Sequence, residues 1–378
     1  MHKESSLKVL FTGGGTGGHL FPAIALIEEL KSRFKNMGSI EILFIGTKRG
    51  LESKILANSD YLFRTTWIRG YQRGLTFHDI ITNLLFPLKL IVSFFQSLII
   101  LKTFKPQIAI GTGGYASGPP LYISSLMKIP FFIHEQNVSP GVTTRLLAKH
   151  AEKIYVSFED TKDYIDNTIC YGIPIRPSLK TTAKNQALRF FDLNPDLTTV
   201  FIFGGSQGSH AINNYWIEHL ESFLKIRDCQ FIWQTGQRDY KNIKTLFGDN
   251  PLTHIIPFIH EMGIAYSAAD IVISRSGALT LAELSLYKKP SILIPLPTAA
   301  GNHQEVNARI LEKKGAAVVI LQKDLQSNLL EKTLTSLINN NKQLLEMSEK
   351  VTALAKPDSA KLIINDIMEF LQKYAWEN

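Results

Sequence analysis

Short apolar runs that predict buried strands alternate along the chain with longer segments of helical periodicity. Two such runs, residues 9–11 and 41–46, flank a predicted helix at 23–34 and form a βαβ unit, the repeating unit of parallel sheets. The other strands expected in the first half lie at 63–67, 107–111, 130–134 and 153–157. We expect the last of these strands to close the sheet.

The same order of elements restarts after a proline-containing connector, residues 171–177 (YGIPIRP). A strand at 199–204 runs into a glycine-rich loop at 204–213, much as the first strand does near the N-terminus. This coarse repeat predicts two Rossmann-like α/β domains with parallel sheets, at residues 1–171 and 172–356. A last helix, at 360–374, lies in the C-terminal segment 357–378. Further strands of the second domain are expected at 230–234, 254–257, 270–274 and 291–295.

The loop after the first strand reads TGGGTGGH, with five glycines among residues 13–18 and His19 at its end. A tight turn needs one or two glycines, and additional glycines let a ligand approach the backbone. A strand that turns into a helix also points free N–H groups at that space, which suits a phosphate or a developing negative charge. The loop lacks the dinucleotide fingerprint and the Walker lysine, so it does not predict a nucleotide cofactor or ATP.

Two other loops follow predicted parallel strands of the first domain, GTGGYASG at 111–118 and HEQN at 134–137. Because the carboxyl ends of parallel strands meet at one edge of a sheet, we expect both loops and residues 13–19 to line one cleft. In the second domain, Ser276 and Gly277 can start a helix and leave its first N–H groups open.

Residues 84–101 form a very apolar segment, LLFPLKLIVSFFQSLIIL. Three interpretations are open: a buried core helix, a helix with one face in the core and the rest in a membrane-touching patch, and a transmembrane helix. The uninterrupted apolar pieces are too short to span a bilayer, which disfavours the third interpretation. Flanking or interrupting basic residues favour the second, and these are Arg69, Arg73, Lys89, Lys102 and Lys105.

Charge changes this picture more than the rest of the composition does. The 378 residues, 45% apolar and 20% charged, are enough for two domains with full cores. Residues 1–150 carry 17 lysines and arginines against 8 acidic residues, whereas residues 151–378 carry 24 against 25. The basic first half suits nucleic acid, an anionic membrane or an anionic substrate. Two cysteines allow one disulfide at most, and the polar N-terminal residues offer no signal-peptide core, so export is not expected.

Seven motifs, in their order and spacing, resemble the MurG family of UDP-N-acetylglucosamine transferases: GGGTGGHLFPA, GTGGYASGP, EQN, GIPIRP, GGSQG, SRSGALTLAEL and HQEVNA. The resemblance implies a GT-B fold, in which two Rossmann-like domains face a central cleft and the C-terminal helix crosses back to the first domain. It also implies an inverting transfer of N-acetylglucosamine (GlcNAc) in peptidoglycan synthesis. The donor would be UDP-GlcNAc and the acceptor the 4-hydroxyl of undecaprenyl-pyrophosphoryl-N-acetylmuramoyl-pentapeptide.

The resemblance also assigns roles to individual residues of this chain. The catalytic candidates are His19, as the base for the acceptor hydroxyl, and Glu283, which would also accept hydrogen bonds from the ribose; His19 could instead only position the acceptor. The donor-binding residues would be Thr16, Gly17, Gly18, Asn137, Arg176, Ser206, Gln207, Phe258, Ile259, Gly277, Ala278, Leu279, Thr280, Glu283 and Gln304. The acceptor-binding residues would be Gly14, Gly15, Thr16, Gly113, Gly114 and Tyr115.

Within the donor group, the backbone at Phe258 and Ile259 would read the uracil edge, and Arg176 would neutralise the departing UDP. Gln304 and Asn137 would orient the sugar hydroxyls. The chain departs from the usual family pattern at two positions: Ile173 replaces an asparagine, and His303 precedes Gln304 where many members have a second glutamine.

The resemblance implies no cofactor and no metal, and the chain has no Asp-x-Asp motif of the kind that holds a divalent ion in GT-A transferases. The expected partners are UDP-GlcNAc, an undecaprenyl-linked acceptor, an anionic membrane surface and other cell-wall synthesis proteins, but no nucleic acid. The protein would be peripheral at the cytoplasmic face of the bacterial cell membrane. Two alternatives stay open: a UDP-sugar transferase acting on another lipid such as diacylglycerol, and a catalytically silent membrane-bound scaffold.

Overall fold

The computed structural model describes residues 6–35, 38–48, 50–56, 59–70, 83–225 and 228–377, with side chains up to residue 373. The chain divides into two compact units. The first comprises residues 1–176 and 357–378, and the second comprises residues 177–356. The division falls inside the predicted connector, and Arg73 lies outside the described residues.

A parallel sheet forms the centre of the first unit. Its described strands are β1 (Leu7–Thr12), β2 (Ile40–Thr47), β3 (Leu62–Thr66), β4 (Ile108–Gly111), β5 (Phe131–Glu135), β6 (Lys153–Val156) and β7 (Thr168–Cys170). They lie in the order β3-β2-β1-β4-β5-β6-β7. The predictions for β1 to β6 are confirmed, but β7 pairs with β6 at the edge, so the expectation that residues 153–157 close the sheet is wrong.

Both faces of this sheet are covered. Along β1, Phe11 enters one core and Leu10 enters the other, as expected for a parallel sheet between two helical layers. The last helix contributes to the first of these cores through Ile363, Ile364 and Ile367, all fully buried. The described helices of this unit are α1 (Gly17–Phe34), α2 (Leu51–Ile55), α3 (Phe86–Phe104), α4 (Gly118–Leu126), α5 (Val142–Leu147) and α14 (Ser359–Glu377).

Helix α3 presents large apolar side chains to the outside. The residues it buries are Ser93, Ser97, Leu101 and Phe104. We use the term exposed face of α3 for four side chains that are 50 to 66% exposed: Leu88, Ile91, Phe95 and Ile99. The interpretation of this segment as a buried core helix is therefore wrong. By length and mean hydropathy (1.4), α3 is the single candidate for crossing a membrane within the described residues, and 17% of that window is buried.

The second unit repeats the architecture. Its described strands are β8 (Thr198–Phe203), β9 (Cys229–Gln234), β10 (Thr253–Ile256), β11 (Ile271–Ser274), β12 (Ser291–Leu293) and β13 (Ala317–Val319), parallel in the order β10-β9-β8-β11-β12-β13. Its helices, within the residues that the structure describes, are α6 (Lys184–Phe190), α7 (His210–Leu224), α8 (Gln237–Phe247), α9 (Met262–Ala268), α10 (Ala278–Leu286), α11 (His303–Lys313), α12 (Leu329–Ile338) and α13 (Asn341–Thr352). Trp216 and Trp233 are fully buried in its core. Every strand predicted here is present, and β13 was not predicted.

Candidate active site

Three loops of the first unit meet at His19. The register sets Thr12 beside Gly111, so the loops after β1 and β4 leave the sheet side by side. Nδ1 of His19 lies 3.0 Å from the Thr112 carbonyl oxygen and 2.9 Å from Oε1 of Gln136, which directly follows β5. The Thr112 hydroxyl donates back to the His19 carbonyl oxygen at 2.7 Å. The prediction that these three loops come together is confirmed.

The two partners of Nδ1 determine where the His19 proton lies. A carbonyl oxygen and a carboxamide oxygen can only accept hydrogen bonds, so Nδ1 carries the proton. In neutral imidazole the other nitrogen, Nε2, then holds a lone pair. His19 is thus arranged to accept a proton at Nε2.

The two glycine loops are in direct backbone contact. Gly114 has φ +78°, and a Cβ there would lie 2.5 Å from the Gly14 carbonyl oxygen. Gly113 has φ +89°, and its Cβ would lie 3.0 Å from Nδ1 of His19. These positions require glycine because a side chain would push the loops apart.

Glu52 on α2 anchors the first glycine loop and was not predicted as a site residue. Its side chain is fully buried, and Oε2 accepts from the Gly15 N–H at 3.0 Å. Oε1 accepts from the N–H and the hydroxyl of Thr47, at 2.9 and 2.7 Å. A Cβ at Gly14 or Gly50 would lie within 2.6 Å of the carboxylate, so glycines make room for it.

The helix that follows this loop begins without a side-chain cap. Thr16 is the N-cap residue of α1, and among the described residues none caps it through a side chain. Tyr115 lies over the loop, with its ring 3.0 Å from the position of a Cβ at Gly15. Burial, together with the charge of Glu52, raises the pKa of Tyr115. The open N–H groups near Gly17 and Gly18 make this a positive helix end.

The HEQN segment contains a second carboxylate, Glu135, which accepts hydrogen bonds from several donors. Oε1 of Glu135 accepts from the N–H and the side-chain amide of Asn137, at 3.0 and 3.1 Å. Oε2 accepts from the Gly141 N–H at 3.0 Å and from the Thr144 hydroxyl at 2.6 Å. Glu135 therefore shapes the loop, and it orients Asn137 by binding its amide nitrogen.

Arg176, the last residue of the 1–176 segment of the first unit, packs on α1. Its guanidinium carbon is 4.0 Å from the centroid of the Phe21 ring on α1, which is a cation–π contact. Burial raises the pKa of the nearby Glu28 carboxyl, and the charge of Arg176 opposes that shift. Ile173, which replaces the family's asparagine, is 3% exposed.

In the second unit, the GGSQG loop packs on the turn after β9. A Cβ at Gly208 would lie 2.1 Å from the Thr235 carbonyl oxygen, and one at Gly236 would lie 2.2 Å from the Gln207 carbonyl oxygen. This close approach needs glycine at both positions. Ser206 and Gln207 are exposed at the tip of the loop.

Glu283 is held in place by a buried tyrosine. Glu283 lies on α10, whose first turn follows Gly277, and in the described part of the chain no side chain caps that helix start. The Tyr266 hydroxyl donates to Oε2 of Glu283 at 2.8 Å. Burial, and then the Glu283 charge, raises the pKa of Tyr266 well above its usual range. Tyr266 therefore stays a donor, and Glu283 keeps one orientation.

The backbone N–H of Ile259, which is expected to contact the uracil edge, already donates a hydrogen bond within the protein. The Ile259 N–H donates to Oε1 of Gln234 at 2.9 Å, and Nε2 of Gln234 donates to the Gly205 carbonyl oxygen at 2.9 Å. Gln234 thus joins the Phe258–Ile259 segment to the GGSQG loop. A nucleobase that uses this N–H must displace Gln234.

Gln304 is held by hydrogen bonds to its side-chain oxygen and its backbone oxygen. Its side-chain Oε1 accepts from the Leu296 N–H at 3.0 Å, and its backbone carbonyl oxygen accepts from the Ser276 hydroxyl at 2.8 Å. Nδ1 of His303 pairs with the Ala300 carbonyl oxygen at 2.6 Å, within its own turn. The described residues contain no group of three or more histidine, cysteine, aspartate or glutamate side chains that could hold a metal ion.

Residues 9–156 match the glycosyltransferase family 28 N-terminal domain, and residues 199–363 match the glycosyltransferase family 28 C-terminal domain. The chain is 37% identical to the UDP-N-acetylglucosamine–N-acetylmuramyl-(pentapeptide) pyrophosphoryl-undecaprenol N-acetylglucosamine transferases of Desulforamulus reducens and Bacillus subtilis. Each alignment covers 97% of this chain and 100% of the relative. The crystal structure of Acinetobacter baumannii MurG superimposes with a TM-score of 0.74 at 26% identity, covering 96% of this chain and 99% of that one.

The chain belongs to the MurG family. The resemblance that the seven motifs suggested is confirmed, and so is the α/β fold with two Rossmann-like parallel-sheet domains.

The residues with roles suggested by the MurG resemblance separate between the two units. The first unit contains the whole acceptor group and His19, and also five residues assigned to the donor: Thr16, Gly17, Gly18, Asn137 and Arg176. The second unit contains the rest of the donor group, from Ser206 to Gln304.

The sequence did not predict roles for Glu52, Tyr266 and Gln234. These residues hydrogen-bond to the first glycine loop, to Glu283 and to the Ile259 backbone, respectively. Only Glu52 has a local signal, since it follows a predicted strand and lies near Gly46 and Gly50. Tyr266 and Gln234 contact partners on other elements of the second unit, 17 and 25 residues away in the sequence.

Proposed function

We propose that this protein transfers GlcNAc from UDP-GlcNAc to the 4-hydroxyl of the muramoyl sugar of undecaprenyl-pyrophosphoryl-N-acetylmuramoyl-pentapeptide, with inversion. The observation that carries the proposal is that His19 holds its proton on Nδ1. His19 directly follows the glycine loop, in the first turn of α1, where the described residues provide no side-chain cap. The names of the relatives from Desulforamulus reducens and Bacillus subtilis supply the donor and the acceptor.

In this reaction His19 is the general base. Its Nε2 takes the proton of the acceptor 4-hydroxyl while that oxygen attacks the anomeric carbon of GlcNAc from the side opposite UDP. The bond from that carbon to the diphosphate oxygen breaks, and the electron pair leaves with UDP. A correctly placed base contributes about 10²- to 10⁴-fold to such a step.

The leaving diphosphate needs stabilisation where its charge develops. The start of α10 supplies open N–H groups and the positive end of a helix dipole, and Ser206 and Gln207 lie exposed on the neighbouring glycine loop. Glu283, held by Tyr266, accepts from the ribose hydroxyls. Gln304, whose Oε1 accepts from the Leu296 N–H, donates from its amide nitrogen to the sugar hydroxyls.

The acceptor is brought to the site from a membrane surface. The exposed face of α3 offers apolar side chains, and exposed Lys102 and Lys105 follow it along the chain. Exposed apolar side chains continue onto the adjoining α4 and α5 at Leu126, Val142 and Leu146. An apolar face with basic neighbours binds an anionic lipid surface without crossing it, so we infer a peripheral protein at the cytoplasmic face of the membrane.

The direct test is transfer of label from radiolabelled UDP-GlcNAc into the lipid fraction, with the lipid-linked muramoyl-pentapeptide as acceptor. We expect transfer with this acceptor, none with diacylglycerol, and no loss on adding EDTA. His19→Gln should lose at least about 100-fold in kcat while binding UDP as the wild type does. Transfer to diacylglycerol alone, or no transfer by a folded protein that binds UDP, would overturn the proposed acceptor.

A further inference from the structure

The orientation of the Gln136 carboxamide is determined by its neighbours. This side chain is 2% exposed, and its Nε2 lies 2.8 Å from the Thr112 carbonyl oxygen and 2.9 Å from Nδ1 of His134. The His134 carbonyl oxygen is also near Nε2, at 3.1 Å. The reversed amide would set an oxygen against two carbonyl oxygens, so the amino group occupies this position. Oε1 of Gln136 therefore faces His19 and accepts from its Nδ1.

His134 fixes the other side of Gln136. Its Nδ1 accepts from Gln136, so its proton lies on Nε2, which donates to the Gly172 carbonyl oxygen at 2.9 Å. Burial lowers the pKa of His134 to about 4, the bond to Gly172 and the charge of Glu135 oppose the shift, and His19 adds to it. The His134 ring is therefore neutral at neutral pH, and its tautomer is determined as well.

The chain of hydrogen bonds ends on the connector. The Gly172 carbonyl oxygen also accepts from the hydroxyl of Ser359 at 2.9 Å, where α14 begins. Every bond from Gly172 to His19 then has one donor direction: His134 to Gly172, Gln136 to His134, and His19 to Gln136.

We propose that Gln136 and His134 are positioning residues that hold His19 as the Nδ1–H tautomer, with Nε2 open to accept the acceptor's proton. The inference rests on the proposed role of His19 as the base. Without Oε1 of Gln136, the Nδ1–H group of His19 has one acceptor, the Thr112 carbonyl oxygen, instead of two, so the Nδ1–H tautomer loses part of its advantage over the Nε2–H tautomer. A ring protonated at Nε2 cannot take a proton there, so turnover falls while substrate binding does not.

The first experiment uses Gln136→Met, which keeps the length of the side chain and removes its polar atoms. Long-range ¹H–¹⁵N spectra of histidine-labelled full-length protein report which imidazole nitrogen is protonated, and His19→Gln assigns the His19 signals. We expect the Nδ1–H form in the wild type and a mixture of tautomers in Gln136→Met. The variant's kcat should fall about tenfold or more, with the KM for UDP-GlcNAc changed less than about twofold. An unchanged His19 tautomer in the folded variant would overturn the proposal.

A matched pair at His134 tests the route. His134→Asn can place its oxygen where Nδ1 was and still accept from Gln136, whereas His134→Gln can reach Gly172 with its amide but leaves Gln136 without that acceptor. We expect the Asn variant to keep the Nδ1–H form of His19 and most of kcat, and the Gln variant to lose both. Equal behaviour of the two variants would show that His134 acts only through packing.

The spectra separate this inference from the proposed function. If the wild type transfers no GlcNAc but the tautomer follows the expected pattern in the variants, the positioning role stands and the assigned reaction fails. The opposite result is also possible. If the wild type transfers GlcNAc normally, and the variants at Gln136 and His134 keep both this activity and the wild-type tautomer of His19, the positioning role fails and the proposed reaction stands.

Discussion

The hydroxyl of Tyr266 donates a 2.8 Å hydrogen bond to Oε2 of Glu283, and both side chains are buried in the second unit. This bond leaves the carboxylate one orientation, which suits the proposed role of Glu283 as an acceptor for the ribose hydroxyls. Tyr287 stacks on Tyr266 with ring centroids 5.1 Å apart, but its own hydroxyl donates to the Lys180 carbonyl oxygen. The two tyrosines therefore differ in their link to Glu283.

Tyr266→Phe should weaken donor binding. A hydrogen bond to a charged group is worth about 1.5–3 kcal/mol, so we expect the KM for UDP-GlcNAc to rise about tenfold or more, with little change in the KM for the acceptor. Glu283→Ala should raise the donor KM further. Tyr287→Phe is the matched control, and steady-state kinetics with each substrate varied in turn measure all three. Equal effects of a variant on both KM values would remove its residue from the ribose role.

Replacing Ile91, Phe95 and Ile99 with serine should weaken binding to anionic liposomes by about tenfold or more, since each large apolar side chain gains about 1.5–3 kcal/mol when fully buried. Turnover of a short-chain soluble acceptor should stay near the wild-type rate because these side chains are exposed. Co-sedimentation with vesicles measures the first effect and the transfer assay the second. Leu345→Ser, at a position 66% exposed on the second unit, is the control that should leave vesicle binding unchanged.

Phe94 differs from its neighbour Phe95. The centroid of its ring lies 5.1 Å from the ring centroid of Tyr122 on α4, and the Phe94 side chain packs against the core. Phe94→Ser should therefore lower the free energy of unfolding, whereas Phe95→Ser should not. Urea unfolding distinguishes them, and equal stability of the two variants would contradict the orientation of α3.

Glu52→Gln should loosen the first glycine loop. The amide supplies one oxygen for three donors, and its amino group must face the Gly15 N–H or Thr47. We expect about 2 kcal/mol of destabilisation and faster amide exchange across residues 13–19. Glu29→Gln, which removes only an i,i+4 pair with Arg33, should cost about 0.5 kcal/mol or less. Slow exchange of the loop in Glu52→Gln would refute the anchoring role.

Lowering the pH should destabilise the first unit through His134. Its pKa is about 4 in the folded protein against an ordinary 6.5, so between these values the unfolded chain binds a proton that the folded chain does not. This stability is complete above pH 6.5 and is lost as the pH falls toward about 4, by up to about 3 kcal/mol. Urea unfolding at several pH values measures the slope. His134→Asn should flatten it, and a slope as steep in the variant would assign the effect to other groups.

The strands of both sheets could be predicted because a parallel strand covered on both faces reads as a continuous apolar run. Edge strands β7 and β13 have three residues each, with only partial burial, and gave no such run. Helix α3 could not be oriented from the sequence. It buries Ser93 and Ser97 beside Leu101 and Phe104, while other large apolar residues such as Phe95 face outward, so its apolar residues do not mark a single buried stripe.

By itself, the sequence determined the two Rossmann-like units, the glycine loops at the ends of their strands and the membership of the MurG family, because these depend on local periodicity and on ordered motifs. Only the tertiary structure decided the tautomer of His19, the orientation of Glu283 and the outward face of α3. Those properties depend on contacts between distant residues: Gln136 reaches His19 across 117 positions, and only the register of a folded sheet brings such groups within hydrogen-bond distance.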